Sequence, residues 1–118
     1  PEEICLAART NHLVKSRYAQ LLTRAGIEFT LLGTRGAPGK GVRLATMHRL
    51  KGLEFRRVLL ASVQDGEMPK RLPPGTLADK ASLEDHEKRE RCLLYVAATR
   101  ARDQLMITGY GKPSGLLS

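Results

Sequence analysis

The sequence predicts an α/β fold in one domain, a mostly parallel β-sheet flanked by helices. Two observations carry this. Short apolar runs without polar alternation, Ile4 to Ala8 first among them, read as strands covered on both faces. Helical segments of 3.6-residue period separate such runs, and strand–helix–strand crossovers make neighbouring strands parallel. The 118 residues, 42% apolar and 27% charged, suffice for one core without a disulfide or a metal.

Each element follows in order. After the strand Ile4–Ala8, Thr10 or Asn11 caps a helix whose apolar positions are Leu13, Val14, Tyr18, Leu21, Leu22 and Ala25. Gly26 stops it, and Ile27, Phe29 and Leu31 alternate as a second strand. Gly33 to Gly41 is a glycine-rich turn, followed by strands around Val42 to Met47 and Arg57 to Val63. Asp65 to Lys80, with three Pro and two Gly, reads as a surface loop. Ser82 and Asp85 resemble a capping box opening a long helix to about Arg102, and Gln104 to Thr108 forms the last strand. The domain is expected to span residues 1–108, with 109–118 a loose, glycine-containing tail.

Composition narrows the function. Twenty Lys and Arg against twelve Asp and Glu give a net charge of +8, which favours polyanionic partners. The excess is local: Arg35, Lys40, Arg43, Arg49, Lys51, Arg56 and Arg57 stand against the single anion Glu54. With no Trp, three Tyr and two Phe, the chain lacks a platform for stacking bases, so nucleic acid would be held chiefly through phosphates. Cys5 and Cys92 have no paired-ligand spacing, which excludes a zinc ribbon and fits a reducing compartment. The longest apolar run, Val58 to Val63, is far short of a membrane span, and Pro1-Glu2-Glu3 is acidic where a signal peptide is basic. A soluble, cytoplasmic protein is expected.

The glycine turn is a decoy for a phosphate loop. Five residues separate Gly33 from Gly39 where the motif has four, Gly41 replaces its Ser or Thr, and a strand follows where a helix is required. No acidic run after a strand offers a site for Mg²⁺.

Two segments carry more. Val42 to Phe55 takes the C-terminal end of a strand into a turn bearing Thr46, His48, Arg49, Lys51, Gly52 and Glu54, at the sheet edge where open parallel sheets bind ligands. Singly, each residue also has a structural reading: His48 as a loop histidine, Lys51 as a solvated charge, Glu54 as a partner of Arg56 or Arg57. In Glu90 to Arg102, a helical reading sets Arg100 on the stripe that Leu93 and Val96 bury, among Ala97, Ala98 and Ala101. An arginine there needs an anion: Glu54, the helix C-terminus or an external phosphate.

Together the segments resemble the signature of the UvrD/Rep-like superfamily 1 helicases. Thr46-Met47-His48 and Lys51-Gly52-Leu53-Glu54-Phe55 are similar to motif V, and Tyr95-Val96-Ala97-Ala98-Thr99-Arg100-Ala101 to motif VI. Ile4 to Arg9 resembles the stretch near motif IV that opens the second RecA-like domain. The resemblance runs from about Glu3 to Ile107 and implies a RecA-like sheet with no phosphate loop of its own.

It further implies that ATP lies between two RecA-like domains, with Arg100 as the arginine finger on the γ-phosphate and Glu54 accepting from the ribose hydroxyl. Arg9, Gly52 and Tyr95 are carried over to the nucleotide side. Thr46, His48, Arg49 and Lys51 are carried over to single-stranded DNA. ATP and Mg²⁺ are held mainly by a first RecA-like domain, the implied partner, whose Walker motifs this chain lacks. Alone it is expected to be an inactive monomer. Arg49-Leu50 departs from the smaller or more polar residues usual in the family, and the large accessory insertion before motif V is missing or reduced. The rival expectation is a helicase-derived binding module, for nucleic acid or protein, that never hydrolyses ATP.

Overall fold

The computed structural model describes residues 3–33, 40–73, 75 and 79–117. Five parallel strands form one sheet: β1 (Ile4–Ala8), β2 (Phe29–Leu31), β3 (Val42–Thr46), β4 (Phe55–Leu60) and β5 (Ala101–Ile107), in the order β2-β3-β1-β4-β5. The predicted parallel α/β sheet is therefore present, with β1 at its centre and every described strand pairing parallel.

Side-chain alternation sorts the core into two layers. Leu6 and Ala8 of β1, with Leu44 and Ala61, pack beneath the first helix through its Leu13 and Val14. Cys5 and Ala7 point the other way, with Ala45, Val58 and Leu60, and meet Leu94 and Ala97 of α2 (Lys80–Ala98). Between sheet and α2 lies a single-turn 3₁₀ helix, Met47–Leu50, whose Met47 and Leu50 are fully buried. Burial on both faces explains why β1 reads as an unbroken apolar run.

Several boundaries differ from expectation. Of the two candidate caps, Thr10 is used: its Oγ1 accepts the Leu13 N–H at 3.2 Å. The helix then winds as a π-helix over Leu13–Tyr18 before becoming α-helical in α1 (Ala19–Arg24), a distinction that apolar spacing does not encode. That winding brings the Tyr18 hydroxyl to the Ser62 hydroxyl beyond the end of β4. Ile27 stays outside β2, and Met47 leaves β3 for the 3₁₀ turn.

α2 is capped by Asp79, whose Oδ1 accepts the Ser82 N–H at 2.7 Å, so Ser82 occupies the third helical position and the Ser82–Asp85 box is not formed. The helix ends at Ala98, four residues short of Arg102, because β5 begins at Ala101.

The segment after β5 makes contacts that its glycine content does not announce. Ser114 is buried and its Oγ donates to the Met68 carbonyl at 2.5 Å, while the Asp65 N–H donates to the Lys112 carbonyl at 2.8 Å. Within the glycine turn, residues 34–39 lie outside the described residues, Arg35 and Gly39 among them. No described helix is long and apolar enough to cross a membrane.

Candidate nucleotide and nucleic-acid surfaces

Because all strands run the same way, Thr46 and Phe55 stand at opposite edges of the sheet. Ala8 pairs with Thr46 at the C-terminal edge, and Phe55 pairs with Ala101 at the N-terminal edge. At about 3.3 Å per residue the edges are roughly 15–20 Å apart, and residues 47–54 cross back over the α2 side between them. The candidate residues of the first segment, expected at one edge, thus divide into two groups.

The C-terminal edge gathers Arg9, Thr46, His48 and Arg49. They line an open cleft of about 950 Å³ with Thr10, Lys70 and others. This is the crevice where the chain leaves β1 toward one face and β3 toward the other, the switch point at which open α/β sheets bind ligands. The Arg49 guanidinium packs against Gly33, whose φ of +89° favours glycine.

A second cleft, of about 540 Å³, runs from Arg9, His48 and Lys51 along α2 past Glu90 to Val96. Arg9 is not free here. Its Nε and Nη2 fork onto the Glu90 carboxylate at 2.8 and 2.9 Å, with both side chains nearly buried. Glu90 also accepts the Lys70 N–H at 2.6 Å. Burial pushes the Glu90 carboxyl up, but the Arg9 fork, the Lys70 amide and the charges of Arg9 and His86 outweigh it and hold the pKa below the usual range. Burial and the nearby charge of Arg9, with Lys70 adding to it against the pull of Glu90, lower the pKa of His48, which favours the neutral imidazole.

The N-terminal edge gathers Glu54 and Arg100. Arg100 sits in the turn between α2 and β5 instead of on the helical stripe. Its Nε donates to the Val96 carbonyl at 3.1 Å and its Nη2 to Thr99 Oγ1 at 3.1 Å. The Val96 carbonyl at the C-terminus of α2 and the hydroxyl of the capping residue Thr99 thus hold the guanidinium. Among the described residues, none of the ion pairs involves Arg100: the anions Glu3, Asp85, Glu90 and Asp103 are taken by Arg102, Arg89, Arg9 and Arg56. Glu54 is exposed beside it, since the strands that follow the two residues are paired. The structure thus does not adopt the Arg100–Glu54 ion pair, nor one of Glu54 with Arg56, which binds Asp103 at 2.9 Å.

Besides Glu54 and Arg100, two expected residues line neither cleft. Tyr95 is 70% exposed on α2, and Gly52, at φ +81°, has open space where a side chain would go. Sequence reasoning gave no role to Glu90, His86 or Lys70. The only signal was a carboxylate at the head of the apolar run Cys92 to Ala98, with a histidine one turn before it. Among the described residues no cluster of His, Cys, Asp and Glu could hold a metal ion.

The model of the UvrD-like helicase C-terminal domain matches residues 3–112. The putative ATP-dependent DNA helicase YjcD of Bacillus subtilis is 44% identical over 70 residues, which is 58% of this chain and 9% of that protein. DNA helicase II of Escherichia coli K12 is 37% identical over 67 residues, 57% of this chain and 8% of that one. The matched stretch is thus about a tenth of these relatives' length. Among solved structures, the C-terminal domain of a possible DNA helicase from Lactobacillus plantarum WCFS1 superposes with a TM-score of 0.73 at 22% identity, over 98% of this chain and 61% of that one. That likeness speaks for the fold.

Proposed function

Because the chain belongs to the UvrD-like helicase C-terminal domain family, we propose that it is the second RecA-like domain of an ATP-dependent DNA helicase or translocase, supplying an arginine finger and contacts to single-stranded DNA. The observation that carries the reading is Arg100, a cation without a carboxylate partner among the described residues, held by the Val96 carbonyl of α2 and the Thr99 hydroxyl at a sheet edge. A guanidinium so placed is ready for an anion from outside the domain.

The chain's own residues then divide the work by edge. Arg100 meets the charge that builds on the transferring γ-phosphoryl group, and Glu54 beside it offers two acceptor oxygens to a ribose hydroxyl. Their chemistry fits phosphate and sugar, and in this reading Mg²⁺ and the Walker contacts would be supplied by the first RecA-like domain. Arg9, at the other edge, is held by Glu90 through Nε and Nη2, which leaves the Nη1 donors of the guanidinium to a phosphate in the cleft; Gly52 and Tyr95 shape the turn and the outer face of α2. Thr46 offers a hydroxyl to a DNA phosphate, with His48, Arg49 and Lys51 adding donors and charge. Closure and opening of the two domains around ATP would move the DNA past this cleft.

The test supplies the missing half. The chain joined to a first RecA-like domain with Walker motifs should hydrolyse ATP faster in the presence of single-stranded DNA than that domain alone. DNA binding with no gain in hydrolysis would contradict the motor and favour the binding module.

A further inference from the structure

We propose that Lys70 is a further phosphate-contacting residue of the nucleic-acid cleft and that His86 and Glu90 of α2 are positioning residues that hold it there. The inference deepens the reading of the C-terminal edge as a single-stranded DNA site and rests on it. Lys70 lines both clefts together with Arg9 and His48. It is exposed, and among the described residues its ammonium is in none of the ion pairs.

Its backbone, by contrast, is gripped on both sides. The Lys70 N–H donates to Glu90 Oε1 at 2.6 Å, and the Lys70 carbonyl accepts from His86 Nε2 at 2.8 Å. His86 and Glu90 are one turn apart on α2, so they present one face to the loop. Two residues earlier, the Met68 carbonyl is held by Ser114 Oγ at 2.5 Å. Surface loops usually leave such groups to water. Here a single residue is fixed at both its amide and its carbonyl, and its side chain is the part left to move in the cleft. Glu90 completes the arrangement by fixing Arg9 as well, whose Nε donates to the same Oε1 that takes the Lys70 N–H.

A positioning role and a purely electrostatic role for Glu90 predict opposite signs. Glu90 is an anion in a cleft lined by Arg9, His48, Lys51 and Lys70, so charge alone says its removal should tighten a polyanion. Positioning says that removal loosens it.

The experiment is fluorescence anisotropy of a labelled oligothymidylate with the 118-residue chain across a NaCl series. Lys70→Ala should weaken binding about fivefold and flatten the log–log salt slope by about 0.7, one single-strand phosphate contact. Glu90→Ala, which removes the acceptor of the Lys70 N–H, should also weaken binding, and adding Lys70→Ala to it should change little. Unchanged or tighter binding by a folded Glu90→Ala chain, or an unchanged salt slope in Lys70→Ala, overturns the proposal. If circular dichroism shows that Glu90→Ala does not fold, His86→Ala replaces it: weaker binding supports the clamp and unchanged binding overturns it. Arg49→Ala separates the two levels. If it weakens binding while Lys70→Ala does not, the cleft stands and the Lys70 assignment fails; if neither does, the DNA reading of the cleft fails and takes the assignment with it.

Discussion

The Phe55 N–H donates to the Arg100 carbonyl at 2.9 Å, joining the end of the 47–54 crossing to the turn after α2. Two segments some 45 residues apart in sequence are thereby fixed at one point of the N-terminal edge, with Glu54 just before the bond and the Arg100 guanidinium just beyond it. The parallel pairing that follows, with Val58 opposite Leu105 and Leu60 opposite Ile107, carries this junction into the sheet. A finger needs this: an arginine that acts on a phosphoryl group must be placed by its own domain before the other domain closes.

Breaking the Arg9–Glu90 pair should be among the costliest single changes. Glu90→Ala leaves the Arg9 guanidinium nearly buried and unpaired and is expected to lower stability by about 3 kcal/mol, read as a fall in the denaturant midpoint. The pH dependence follows from sign. The folded pKa of Glu90 lies below its ordinary value, so its contribution is fully present above that ordinary value and is lost as pH falls through the lowered one. Urea titrations of Glu90→Gln should show a flatter loss of stability in that acid window than the parent chain. An equally steep loss would assign the acid sensitivity to other carboxylates.

Glycine substitutions should separate a packed position from an open one. Gly41 has φ +72°, and a Cβ there would collide with the Glu28 backbone carbonyl, the same oxygen that accepts the Val42 N–H where β2 and β3 meet. Gly41→Ala should cost about 2–3 kcal/mol. Gly52, at φ +81° with nothing within 4 Å, should cost only the backbone strain, about 1–2 kcal/mol. Thermal unfolding of the two variants compares them directly, and equal losses would show that the β2–β3 junction yields easily.

The two thiols should react at very different rates. Cys5 has no exposed surface and burial pushes its pKa up to about 12, whereas Cys92 is exposed on α2. A thiol reagent at neutral pH should modify one cysteine of the native chain promptly and the second only on unfolding. Fast modification of both would mean that β1 opens readily, contrary to its central place in the sheet.

Most of the fold was legible because its signals are local. The apolar runs at Ile4–Ala8 and Val58–Leu60 are buried on both faces, and Thr10 and Gly26 punctuate the first helix as their chemistry suggests. What was missed depended on distance in sequence or on choice between similar caps. Asp79 and Ser82 are both good N-terminal residues, and only the 2.7 Å bond selects the first as the cap. Arg9 and Glu90 are 81 residues apart, so no pattern could pair them. The split of Thr46 from Glu54 came from the parallel topology: eight residues that read as one turn must cross the whole sheet to start the next strand. Arg100 was recognised as needing an anion, but its release from the helix into the turn followed from where β5 begins.

The central claim is that Arg100 acts on a nucleotide gripped by another domain. It is tested most directly by steady-state ATP turnover of Arg100→Ala in the chain joined to a Walker-bearing first domain, with single-stranded DNA present. A fall in kcat of about 10³-fold, with KM and thermal stability little changed, is the predicted result. Turnover within about twofold of the parent, far inside the effect expected of such a finger, would contradict the account.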